Sequence, residues 1–246
     1  MSRKHHALWR PTAADRALAA RLGDPAAFVP VEGGFVGVRG GALELALAVW
    51  ERFPGRAHAV LRRRIRRVGA VRDLDRAVAA VAARRVSEVA PAAGDAVPYE
   101  DLEPWLDRAR VRAREARLDP GTDRIPDDVD AFVRRCVPAG VPGPLAARDR
   151  PVVAILVHED RIVWAAHNAG GANRVLHAEC ALVLGCGSLP AGATLLVSLQ
   201  PCRMCAALIV ARAEGPVAVR WAEPDPGPLA RDTATQRLGW EAPIRR

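Results

Sequence analysis

Two hydrophobic patterns divide this chain. Over roughly the first 118 residues, apolar positions recur at helical spacing in segments rich in Ala, Leu, Arg and Glu, largely bounded by Gly and Pro. Helices are predicted at residues 13–22, 42–53, 56–68, 74–89 and 104–118. Within 56–68, Val60, Leu61, Ile65 and Val68 share one helical face, and Arg62, Arg63, Arg64, Arg66 and Arg67 fill the rest. That arginine run is expected to be a solvated helix face, because no aromatic residues are interleaved for stacking on bases. Residues 28–38, with Gly33-Gly34 inside and Gly40-Gly41 after them, are a loop or short hairpin. The polar segment 119–126 holds two prolines and is the expected linker. The chain thus divides into a mainly α-helical N-terminal region, 1–122, and a second domain, 123–246. No internal sequence repeat is evident.

After the linker the pattern becomes mixed. Residues 127–137 form one predicted helix, capped by Asp127 or Asp128 and stopped by Pro138. Residues 151–158 and 161–166 are two apolar strands around Glu159-Asp160, hence a hairpin. A helix then opens at His177, a strand covers 193–199, and a second helix opens with Pro201 in its first turn. Further strands are expected at 216–221 and 241–244, with a short helix at 232–238 between them. The order β-β-α-β-α-β describes an α/β layered sheet. Gly170-Gly171 serves loop geometry, since no lysine follows in P-loop fashion.

Charge and composition narrow the setting. The net charge is +8. Residues 1–125 carry 23 Lys/Arg against 16 Asp/Glu, and residues 126–246 carry 13 against 12, so any attraction to polyanions comes from the first half. Arginine supplies all but one of the 36 basic residues. That bias, with abundant alanine, looks compositional. No apolar run is long enough for a bilayer, and no apolar stretch follows the basic N-terminus. Neither a membrane span nor a secretory signal is predicted. The five cysteines, at 136, 180, 186, 202 and 205, are odd in number, and two form a metal-type pair. The expectation is a reducing, cytoplasmic setting without a disulfide framework.

The chemistry concentrates in His177-Ala178-Glu179 and Pro201-Cys202-Arg203-Met204-Cys205. One imidazole and two thiolates three residues apart can hold one zinc ion and leave its fourth position for water. Helix N-termini favour the thiolates. Glu179 is not needed as a ligand and can carry the water proton. H-x-E followed by P-C-x-x-C is the signature of zinc-dependent nucleobase deaminases, in which activated water attacks C4 of cytosine or C6 of adenine. The alternative is a closed Cys₃His site that adds Cys180, three residues beyond His177, in a zinc-stabilised nucleic-acid-binding or interaction protein without catalysis.

Over residues 127–221 the chain resembles the cytidine deaminase-like superfamily, nearest to the branch of tRNA adenosine deaminases and deoxycytidylate deaminases. The hairpin, then Asn168, then His177-Ala178-Glu179, then the strand leading into Gln200-Pro201-Cys202-Arg203-Met204-Cys205-Ala206 stand in that family's order. The resemblance implies a three-layer α/β/α sandwich on a mixed five-stranded sheet, often oligomeric, so a homodimer is expected. It implies one zinc ion per chain on His177, Cys202 and Cys205, with Glu179 as proton shuttle. It further implies substrate contacts from Asn168, the Ala178 N–H and the carbonyl near Ser198. The implied substrate is a nucleoside, nucleotide or base in single-stranded nucleic acid. Gln200 departs from the glutamate common there, and the tail lacks the aromatic, basic final helix of the tRNA-editing members.

Overall fold

The computed structural model describes residues 10–82, 85–139, 150–169 and 173–245, and places among them two five-stranded sheets. The first belongs to the N-terminal half. Its elements are α1 (Ala13–Leu22), β1 (Ala26–Val31), β2 (Gly34–Arg39), α2 (Ala42–Arg52), α3 (Ala57–Leu61), β3 (Ile65–Val68), α4 (Asp73–Val81), β4 (Val86–Val89), β5 (Tyr99–Asp101) and α5 (Glu103–Glu115). The strand order is β4-β3-β1-β2-β5. On one face Leu18 and Ala19 of α1 cover Phe28, Val68 and Val89. On the other lies α2, which is apolar almost all round because it is buried almost all round.

Helical residues still outnumber strand residues in this half, but around a sheet that helical periodicity did not announce. The predicted helices 56–68 and 74–89 each break in two, a short helix followed by a strand. The reason lies in β-branched Ile65, Val68, Val86 and Val89, whose spacing suits either period over so short a run. In β3 successive side chains face opposite sides. Arg66 meets Asp15 of α1 at 2.9 Å, and Arg67 meets Asp75 of α4 at 3.5 Å, with both aspartates and Arg67 buried. The arginine run is therefore not a solvated helix face. Residues 28–38 lie within the β1–β2 hairpin, turned at Gly33 with φ of +80°.

The second half follows α6 (Val129–Arg135), β6 (Val153–His158), β7 (Arg161–His167), α7 (Ala178–Cys186), β8 (Thr194–Leu199), α8 (Arg203–Arg212), β9 (Ala218–Glu223), α9 (Ala234–Arg237) and β10 (Glu241–Pro243). Its sheet runs β10-β9-β8-β6-β7 and is mixed, with β6 antiparallel to both β7 and β8 and the rest parallel. Helices α7 and α8 cover one face and α6 the other, an α/β/α sandwich. Asp128 caps α6 by accepting the Ala131 N–H at 3.0 Å. Glu159 and Asp160, at φ 51° and 60°, make the tight hairpin turn that two left-handed residues allow. Gly170-Gly171 lies outside the described residues.

The expected linker is not free. Leu118 N–H donates to Ala165, His167 N–H to Ala116, and Ile162 N–H to Asp123, so residues 116–124 run along the outer edge of β7. One continuous apolar core joins α2, α4 and α5 to α7 and α8. No helix among the described residues is long and apolar enough to cross a membrane.

Candidate metal centre and active-site pocket

Two helix N-termini converge at the ends of β7 and β8. His177 caps α7 and Cys202 caps α8, each with extended backbone dihedrals. Pro201 thus precedes the cap rather than entering the first turn as expected, and the helix begins at Arg203. Cys205 sits one turn into α8. The His177 Nδ1 lies 3.6 Å from the Cys202 Sγ and 3.5 Å from the Cys205 Sγ. For Zn–N near 2.05 Å and Zn–S near 2.3 Å, a tetrahedral angle puts nitrogen and sulfur about 3.6 Å apart. The three donor atoms lie within 4.8 Å of one another. They therefore fit a tetrahedral ion through Nδ1 and two sulfurs. Cys180, a buried residue of α7, is not in the cluster, so the closed Cys₃His arrangement is not formed.

Electrostatics agree with that donor set. A hydrogen bond with Cys205 holds the Cys202 thiol well below its ordinary pKa, with His177 adding to the effect. The same bond, with burial, pushes Cys205 up. Glu179, 4% exposed, opens the first turn of α7. Burial pushes its carboxyl up to about 7, against a smaller lowering by His177. A carboxyl poised there can both take and give a proton near neutral pH.

A pocket of about 170 Å³ opens over these residues. His177, Ala178, Glu179, Cys202 and Asn168 are among the residues that line it. The Asn168 side chain is engaged with the chain itself: Oδ1 accepts the Val152 N–H and Nδ2 donates to the Arg150 carbonyl, each at 2.9 Å. Ser198 lies outside this lining. Its hydroxyl accepts the Val153 N–H at 3.1 Å, and it borders the adjoining cavity with Arg134 and Glu223. Arg150, Val152, Arg174, Leu199, Gln200 and Asp225 complete the lining and were not assigned to it individually from sequence. They come from loops and strand ends, where spacing carries no period. Gln200 donates to Glu241 at 2.7 Å and accepts the Asp225 N–H at 3.3 Å, so it fixes the wall carrying Asp225.

Residues 144–246 match the family model described as Bd3614-like deaminase. No protein of curated function matches the chain in sequence. One similar solved structure comes from a study of A-to-I editing by tRNA:A34 deaminases at the wobble position of transfer RNA. It is 29% identical over 37% of this chain and 75% of its own, with a TM-score of 0.31. Another is a diaminohydroxyphosphoribosylaminopyrimidine deaminase/5-amino-6-(5-phosphoribosylamino)uracil reductase from Thermotoga maritima. It is 26% identical over 39% of this chain, with a TM-score of 0.33, and only 30% of its own length is spanned.

Proposed function

We propose that this chain, whose residues 144–246 match the Bd3614-like deaminase model, is a zinc-dependent hydrolytic deaminase acting on a cytosine- or adenine-type base in a phosphate-bearing substrate. The reaction replaces the exocyclic C–NH₂ by C=O, consuming one water and releasing one ammonia. His177, Cys202 and Cys205 would hold the ion, which when bound supplies the Lewis acidity that makes water nucleophilic near neutral pH. The observation that carries this reading is the spacing of one Nδ1 and two Sγ atoms at 3.5–3.6 Å beside a buried carboxyl outside the donor set.

In this reading Glu179 would take the proton of the attacking water and pass it to the ring nitrogen, then to the departing amine. Glu179, Ala178 and Cys202 at the pocket are themselves buried. Asn168 holds the start of β6 against the pocket wall, so its first task is to shape the site. Arg150 and Arg174 give the lining two guanidiniums, which suits a phosphate attached to the base, whether in a nucleotide or a single strand. Asp225 adds one carboxylate that can accept from the base or ribose.

Ammonia release by the zinc-loaded protein tests this, over cytosine, adenine and guanine nucleosides, their nucleotides, and single-stranded DNA and RNA. Release from a phosphate-bearing cytosine or adenine substrate, lost in Glu179→Gln, supports the proposal. Equal release from nucleoside and nucleotide contradicts the role of the two arginines. Undiminished release by Glu179→Gln contradicts the proton path.

A further inference from the structure

The two halves share one topology. In each, a helix precedes an antiparallel hairpin, then come a helix, a third strand antiparallel to the first, another helix, and a fourth strand parallel to the third. Helix α3 is an insertion before that third strand in the first half. β4-β3-β1-β2 thus matches β9-β8-β6-β7 in order and direction. Helix α1 lies against β3 and β4 as α6 lies against β8 and β9. Only the fifth strand differs, β5 beside β2 in one sheet and β10 beside β9 in the other.

The match extends to the site. Gly41 caps α2 where His177 caps α7, and Arg72 caps α4 where Cys202 caps α8; all four are extended. Counting into each helix, Leu43 takes the place of Glu179 and Asp75 that of Cys205. Every metal donor and the proton carrier are replaced. In their stead Asp75 ties the two helix starts together, accepting the Ala42 N–H at 2.8 Å and the Arg72 N–H at 3.0 Å. A Cβ on Gly41 would stand 2.7 Å from the Asp75 Oδ1, so this position has no space for a ligand side chain. Between the two helix N-termini one half carries the donor cluster His177, Cys202 and Cys205, and the other a buried carboxylate, which the helix dipoles favour.

The halves also meet through corresponding elements. Helix α4 packs on α8, its counterpart, and Glu44 of α2 lies 3.5 Å from Arg212 of α8. From the same helix α2, the Glu51 carboxylate and the Leu47 carbonyl each accept from the Asn173 Nδ2 at 3.0 Å. Asn173 is fully buried, and its own Oδ1 accepts the Val175 N–H. Arg112 of α5 donates to both Glu51 oxygens, at 3.1 Å to the Oε1 that Asn173 also uses and at 3.3 Å to Oε2. Asn173 is followed by pocket-lining Arg174 and, three residues later, by His177.

We infer that the N-terminal half is a second, degenerate copy of the deaminase fold that has become an intrachain positioning partner, its Glu51 fixing the substrate loop of the catalytic half through Asn173. This rests on the deaminase reading above for the loop's purpose, but not for its anchoring. Glu51 touches no reacting atom; it is a positioning residue.

The test is Glu51→Ala in the full-length, zinc-loaded protein, read by hydrogen–deuterium exchange over residues 173–176 and by steady-state kinetics. Exchange in that loop should rise about tenfold or more while the strands of both sheets stay protected. KM should rise about tenfold with kcat within about twofold, and zinc content should stay at one per chain. Glu51→Gln, whose amide oxygen still accepts from Asn173, should restore both. Native exchange and native KM in Glu51→Ala overturn the proposal. If Glu51→Ala does not fold, Glu51→Asp keeps a carboxylate for Arg112, shortens the reach to Asn173, and takes the same measurement. Loop exchange needs no substrate, so a silent ammonia assay sinks the deaminase reading without deciding this one.

Discussion

Glu179 is 4% exposed, and its burial outweighs the attraction of neighbouring His177 in setting its carboxyl. Its surroundings hold it ready to exchange a proton rather than to carry a fixed charge. Replacing it by Gln keeps volume and removes that exchange. Turnover should fall by about 10² or more, with zinc content unchanged by metal analysis; a variant that loses its zinc would mean Glu179 is a ligand. The cysteines separate in the same way. Cys202→Ser and Cys205→Ser should each empty the site. Cys180→Ala should leave zinc at one per chain, because Cys180 is buried outside the donor cluster. These residues were legible in the sequence because a chelate needs donors at fixed short spacings. Arg150, Arg174 and Asp225 were not, since each reaches the pocket from a loop whose path no periodicity encodes.

Elements of the catalytic half were read closely where local chemistry is strong. Asp128 caps α6, Glu159-Asp160 turns the hairpin, and both metal-bearing helices start within a residue or two of their expected places. The N-terminal sheet was largely missed. Strands such as Ile65–Val68 and Val86–Val89 are four residues long and follow helices directly, so a helical period runs through them unbroken. The duplication was equally hidden, because its conserved feature is strand order and not residue identity. It carries its own prediction. Gly41→His, Arg72→Cys and Asp75→Cys together rebuild three donors on the two helix starts of the first half and remove the carboxylate that crowds them. The folded triple variant should bind two zinc ions per chain; a folded variant binding one contradicts the equivalence. On the opposite side of the molecule, Phe132 of α6 is fully buried against β6 and β8. Phe132→Ala should cost about 3–5 kcal/mol of stability in denaturant unfolding.

At the scale of the whole molecule, the face of α7 and α8 turned away from their sheet is covered by α2, α4 and α5 of the same chain. A homodimer of the kind expected from sequence has to use another surface. The boundary drawn at residue 122 also cuts through structure, since residues 116–124 line the edge of β7 and α5 packs on α7. A fragment of residues 123–246 should therefore aggregate when produced alone and become soluble when residues 1–122 are produced with it; a soluble, folded fragment would show that the helix layer is dispensable. In the proposed site His177, Cys202 and Cys205 hold an ion whose fourth position is open. Zinc-edge X-ray absorption on the full-length protein tests it most directly. The expected shell is two sulfurs at about 2.3 Å with one nitrogen and one oxygen at about 2.0–2.1 Å, the oxygen giving way to a small competing anion. A shell of three sulfurs and one nitrogen, unchanged by that anion, would contradict it and make the site a structural one.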